Sequence, residues 1–198
     1  MRKLHLVFAA LIALAVSATM PSTAFADWYF DATINEWVDS DAPKVTGRRG
    51  GSKIKRKEVD YPTKYKKGTI IVETSERRLY LVLGNGRAMK YGVGVGRDGF
   101  RWSGTHRITR KAEWPSWTPP PAMRKRVPGL PKFMPGGPNN PMGARALYIG
   151  NTLFRLHGTV EPWTIGTAVS SGCIRLTNPD IIDLYNRAKV GARIIVRH

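Results

Sequence analysis

The sequence predicts a mainly β domain carrying one short helix. Three observations predict it. Short runs rich in Ile, Val, Leu and Tyr recur from Thr69 to the end of the chain, and Gly, Asn and Pro separate them. Runs of that length fit strands better than amphipathic helices. In "RRLYLVL", Leu79, Leu81 and Leu83 face one way and Tyr80 and Val82 the other, the period of two that a strand requires. Finally, a single segment near the C-terminus combines helical spacing with start and stop signals.

The elements follow in chain order. Residues 1–26 read as a secretory leader: Arg2 and Lys3 precede the apolar "VFAALIALAVSA", and Ala24-Phe25-Ala26 supplies a small-x-small cleavage pattern. Cleavage is expected after Ala26, which places the mature chain outside the cytoplasm; the periplasm is inferred from this, and no further stretch is apolar and long enough to span a bilayer. Residues 27–67 pass from acidic, with Trp28, Tyr29, Phe30 and Trp37, to basic, and are poor in large aliphatic residues. This composition predicts a flexible basic tail or linker, with an arm wrapping the domain as the alternative. A single folded domain is expected over residues 68–198.

Within it, "TIIVE" is the first strand. Residues 78–95 form a hairpin around Gly84, Asn85 and Gly86. "HRITRKAEW", "ARALYIG", "TLFRLHG" and "ARIIVRH" are further strands. Residues 114–144 interrupt them with a run rich in proline and glycine. A loop of that length inside a compact domain reads as a lid or binding loop, and Trp114 and Trp117 argue that it packs. The helix follows: Asn178 is a cap, Pro179 suits the first turn, and Asp180 and Asp183 suit the positive end of the dipole. Ile181, Leu184, Tyr185 and Ala188 make one face, and Gly191 stops it.

Charge narrows the partners. The chain carries 32 Lys and Arg against 14 Asp and Glu, a net charge of +18. Losing Arg2 and Lys3 with the leader still leaves it strongly basic. Such a field favours anionic polysaccharide, an anionic membrane surface or nucleic acid, and export disfavours the last. The basic run at 44–67 reads as a solvated tail, with docking on anionic glycan or membrane as its functional alternative. "GVGVG" at 92–96 is not a nucleotide loop, since its spacing is wrong and no helix follows; it reads as a strand that needs close backbone approach.

The chemistry concentrates in "HGTVEPWTIGTAVSSGCIRL", residues 157–176. Cys173 is the only cysteine, so no internal disulfide exists. A lone thiol in an oxidising compartment is a liability unless buried or used. A thiol becomes a nucleophile when an oriented imidazole takes its proton. Of His106, His157 and His198, only His157 ends an apolar strand and opens onto a glycine loop. Backbone N–H groups around Gly172 and Cys173 suit an oxyanion hole. The helix that begins shortly afterwards favours a nearby thiolate, and Arg175 suits a substrate carboxylate. A zinc site of His106, His157 and Cys173 lacks finger-type spacing. Taken alone, these residues also fit a buried structural cysteine and a satisfied structural histidine.

The pattern His-Gly-Thr, a spacer, then Ser-x-Gly-Cys-x-Arg resembles the active-site signature of the L,D-transpeptidase catalytic domain, the YkuD-type family, and within it the ErfK/YbiS-like branch. "ERRLYLVLGNGRAMKYGVGVG" and "PGGPNNPMGARALYIG" are similar to that family's preceding strands and loops. The resemblance implies a β-sandwich-like fold with one short helix after the catalytic cysteine. It implies Cys173 as nucleophile, His157 as proton donor and acceptor, and Gly158 as the carbonyl that orients it. Ser171, Gly172 and Cys173 would form the oxyanion hole, and Arg175 would bind substrate. A second histidine common in the family is Ser171 here. The implied substrate is a peptidoglycan tetrapeptide stem, cleaved at the L-centre of its third residue with loss of D-alanine. The acyl group would pass to an amine, as a 3-3 cross-link or as the anchoring of an outer-membrane protein or lipoprotein. No metal and no organic cofactor is implied. A carboxypeptidase or endopeptidase of the same fold and a non-enzymatic wall-binding module remain the alternatives.

Overall fold

The computed structural model describes residues 51–198 together with the backbone of two short strands, β1 (Trp28–Asp31) and β2 (Glu36–Asp39), which pair antiparallel. The leader expected at 1–26 and most of the acidic segment after it lie outside the described residues. The domain then runs β3 (Lys57–Asp60), β4 (Ile70–Glu73), β5 (Arg78–Gly84), β6 (Arg87–Gly92), β7 (Val95–Gly96), β8 (Gly104–Glu113), α1 (Pro121–Arg126), β9 (Arg145–Ile149), β10 (Arg155–His157), β11 (Ala168–Ser170), β12 (Ile174–Arg175), α2 (Asn178–Arg187) and β13 (Arg193–Arg197). A 3-10 turn, Pro162–Thr164, lies between β10 and β11.

Nine strands join in the order β12-β10-β9-β8-β13-β4-β5-β6-β3, and β11 pairs with β7 separately. The β10/β12 and β13/β4 pairs are parallel. The long β8 serves two halves of the sheet. Its first residues pair with β13, its last with β9, and the register shifts between Ile108 and Arg110. Ile70, Val72, Leu79 and Leu81 from one half meet Ile108, Leu147, Ile149, Leu156 and Ile174 from the other in one buried cluster, joined by Ile181 and Leu184 of α2. The sheet therefore curls around a shared core, as the sandwich-like expectation requires. Each such side chain contributes about 1.5–3 kcal/mol through burial.

Three local expectations change. Residues 51–67 are not a free tail: they take the alternative role, an arm on the domain. β3 pairs with β6 as the edge of the large sheet. Tyr61 then stacks on Tyr80, with ring centroids 4.6 Å apart, and its N–H donates to the Gly86 carbonyl at 2.6 Å. The reason is two-sided burial. Ile71, Val82 and Ile195 are buried yet lie outside the central cluster, so the second face of the sheet also needs a cover. Composition could not show that, because the arm supplies isolated tyrosines rather than an apolar run. For the same reason Val82 is buried although Leu83 is only half-buried.

The cap of α2 is Thr177, whose hydroxyl accepts from the Asp180 N–H at 3.2 Å. Asn178 instead accepts from the Ala144 N–H at 2.9 Å, tying the helix start to the entry of β9. The helix ends before Gly191, with Ala188 already extended. "TLFRLHG" is strand only over Arg155–His157, because Thr152 turns the chain back on the Ile149 carbonyl.

Candidate active site

His157 closes β10, and Cys173 stands immediately before β12. The parallel pairing sets Leu156 opposite Ile174 and His157 opposite Arg175. Leu156 and Ile174 point into the core. Strand alternation then sends His157 and Arg175 to the other face. His157, Ser171, Cys173 and Arg175 all line one cavity of about 380 Å³. That volume suits a short peptide segment. The proline-rich loop lines the same cavity with Trp117, Met123, Val127 and Leu130, so it packs on the domain as its tryptophans suggested. Asn140 pins it, donating to the Met134 and Pro135 carbonyls and accepting from the Met142 N–H.

The imidazole is fully enclosed, 4 % exposed. Its Nδ1 lies 2.5 Å from the Gly158 carbonyl oxygen. A carbonyl only accepts, so Nδ1 carries the hydrogen and Nε2 the lone pair. Burial, reinforced by the neighbouring Arg175 guanidinium and opposed by the Gly158 carbonyl, pushes the His157 pKa down to about 3. The ring is neutral at any physiological pH. Gly158 has no room for a side chain: an added Cβ would lie 2.2 Å from Asn178 Oδ1 and 3.0 Å from the Ala144 N. The orienting carbonyl is thus locked between α2 and β9.

Around the sulfur the arrangement differs in one respect from the sequence expectation. Gly172 has φ +105°, and an added Cβ would strike the Phe154 ring at 2.4 Å, so glycine is required. Its N–H, however, donates to Ser170 Oγ at 3.1 Å, and that hydroxyl donates to the Cys173 carbonyl at 2.5 Å. The Gly172 carbonyl accepts from Trp102 Nε1 at 2.7 Å. Of the three amides expected in the oxyanion hole, that of Gly172 is therefore engaged inside its own turn, which leaves those of Ser171 and Cys173. The thiol itself is half-buried and its hydrogen bond runs to the Leu153 carbonyl at 3.8 Å, at the cavity mouth.

Arg175 is held more tightly than a free substrate ligand. Its Nη1 donates to Glu161 Oε2 at 2.7 Å, and the two side chains are 10 % and 2 % exposed. Its backbone also exchanges two hydrogen bonds with Gly94. The Arg175 Nε is buried without a hydrogen-bond partner. This explains "GVGVG": a Cβ on Gly94 would lie 3.1 Å from the Thr164 carbonyl oxygen, and one on Gly96 would lie 2.4 Å from the Phe100 carbonyl oxygen.

Sequence reasoning missed Glu161, Ser170 and Asn178. Glu161 had one signal, an acid in the otherwise uncharged "TVEPWTIG". Nothing local marks Ser170, and Asn178 showed only its aptitude as a helix cap. His106 sits edge-on to Trp102 at 5.8 Å, and His198 lies 2.6 Å from the Thr74 hydroxyl; neither lines the cavity. Among the described residues, no group of three or more His, Cys, Asp and Glu gathers as metal ligands. Among them, too, no helix is long and apolar enough to cross a membrane.

A sequence model of the L,D-transpeptidase catalytic domain matches residues 67–196. The probable L,D-transpeptidase ErfK/SrfK of Escherichia coli K12 is 37% identical over 186 residues, covering 89% of this chain and 59% of that protein. The probable L,D-transpeptidase YbiS of the same strain is 40% identical over 134 residues, covering 63% and 43%. The chain thus spans about half the length of these curated relatives. An L,D-transpeptidase from Mycobacterium tuberculosis H37Rv shares the fold, with a TM-score of 0.52 at 16% identity, over 66% of this chain and 57% of that one.

Proposed function

Since the chain belongs to the L,D-transpeptidase catalytic-domain family, we propose that it is a cysteine acyltransferase acting on peptidoglycan stem peptides in the periplasm. One observation carries this reading: the sole thiol and a neutral, buried imidazole with a fixed tautomer line the same cavity.

The steps follow from those groups. Cys173 turns from the Leu153 carbonyl and gives its proton to Nε2 of His157. The sulfur attacks the carbonyl of the third stem residue. The resulting oxyanion is met by the Ser171 and Cys173 amides. Burial makes the imidazolium costly, so His157 returns the proton at once to the departing D-alanine nitrogen as the C–N bond breaks. A thioester remains. An amine attacks it, the C–S bond breaks, and the amine's proton returns to sulfur through His157. The Gly158 carbonyl holds the ring in register throughout, and Arg175, steadied by Glu161, offers its remaining N–H groups to the substrate. The acceptor is an amine of a second stem or of an outer-membrane protein or lipoprotein.

The test is intact mass spectrometry of residues 27–198 with a disaccharide-tetrapeptide, beside Cys173→Ala. An acyl adduct on the wild type alone, with a cross-linked dimer released, is expected. Free tripeptide without dimer would make the enzyme a carboxypeptidase. No adduct and no D-alanine release would leave a wall-binding module.

A further inference from the structure

The cavity accommodates one substrate, but acyl transfer needs two. While the first stem remains attached to Cys173, an acceptor must reach the thioester from another side. The sheet supplies an approach that runs over its outer surface and ends at Arg155, which itself lines the cavity. Arg110 of β8 pairs with Tyr148 of β9, and Tyr148 with Arg155 of β10. Continued into the β12 pairing, where Leu156 faces Ile174, the row reaches Cys173. All three side chains lie on the face opposite the core, with Arg110 exposed and the other two half-buried.

The row is built, not incidental. The Arg110 guanidinium lies 3.6 Å from the Tyr148 ring centroid, and that of Arg155 lies 5.3 Å from it. These cation–π contacts hold both guanidiniums against one ring and leave N–H groups available to a ligand. Arg155 spends one donor on the Leu153 carbonyl at 3.2 Å, the same carbonyl that receives the thiol. Neither arginine has an acidic partner among the described residues, although acids elsewhere on the surface are paired, as Glu113 is with Arg145 and Glu73 with Arg197. Unneutralised guanidinium edges in line with a nucleophile select carboxylates.

The geometry points to Arg110, Tyr148 and Arg155 as the docking track for the acyl acceptor, an acidic peptide whose amine resolves the thioester. This rests on the acyltransferase reading. The stacked arginines take the peptide's free carboxylates and deliver its amine past Leu153 to the sulfur.

Binding separates the track from the chemistry. The full chain bearing Cys173→Ala is titrated with a stem tripeptide carrying free carboxylates and with the same peptide amidated. The acidic peptide should bind more tightly, and its advantage should shrink as salt rises. Arg110→Glu should cut that advantage about tenfold and spare the amidated peptide. Arg110→Lys should lose part of it, because charge survives without the planar stack. Lys189→Glu makes the same charge change on an exposed residue off the row and should alter nothing. The proposal is overturned if the wild-type row shows no preference, if Lys189→Glu matches Arg110→Glu, or if Arg110→Glu weakens both peptides equally. If the chain with Cys173 intact forms no acyl adduct while the Arg110-dependent preference persists, the enzyme reading fails and the row is a carboxylate-binding surface without an acyl acceptor.

Discussion

Acidification should destabilise this domain through His157, by an amount the burial of the ring sets. The side chain titrates near 6.5 when unfolded and near 3 in the fold. A depressed folded value means that the unfolded chain binds the proton first, so stability is full above pH 6.5 and declines as pH falls toward 3. Each pH unit inside that window costs about 1.4 kcal/mol, so the fold should lose about 2 kcal/mol from this residue between pH 7.5 and pH 5. Urea unfolding at both pH values measures the loss, and His157→Gln isolates the histidine from the carboxylates that titrate alongside it. The wild type should lose about 2 kcal/mol more than the variant over this interval. Equal losses would mean that the folded ring accepts a proton, and the neutral general base would have to be abandoned.

Other perturbations read other parts of the site. Glu161→Gln leaves the Arg175 guanidinium buried and unpaired and should cost about 3 kcal/mol in chemical denaturation, whereas Glu161→Leu with Arg175→Met should recover stability but not acylation. Gly158→Ala drives a methyl into Asn178 Oδ1; acylation should collapse along with a fall of several degrees in Tm, and a fully active variant would refute the locked carbonyl. Tyr61→Ala removes the stack on Tyr80 and should cost about 1–2 kcal/mol, whereas a free tail would give no change. Cys173→Ala should retain the wild-type melting curve while losing the acyl adduct.

Much of the fold was legible because its signals are local. Alternation along "RRLYLVL", the Gly84-Asn85-Gly86 turn and the spacing of α2 each report on neighbours in the chain, and the hairpin and helix are found where those signals lie. The candidate residues His157, Cys173 and Arg175 could be named together because the motif strings them across about twenty residues, and the short β10/β12 pairing brings all three to one cavity.

What only the tertiary structure decided is everything that depends on a partner remote in sequence. Thr177 and Asn178 are both good caps by type; the Ala144 amide, 34 residues away, claims Asn178 and leaves the helix to Thr177. The arm at 51–67 looked solvated because its tyrosines are scattered, and it is ordered because the second sheet face needs covering. Ser170 takes the amide that the motif offered to an oxyanion. Arg175 looked like a free cation, since nothing in the string "TVEPWTIG" says that its one acid folds back onto it. Arg110, Tyr148 and Arg155 become neighbours only when three strands align. Sequence specified which groups could react, because residue type carries chemistry; register and burial specified which of them are free to, because pairing and desolvation are properties of the packed chain.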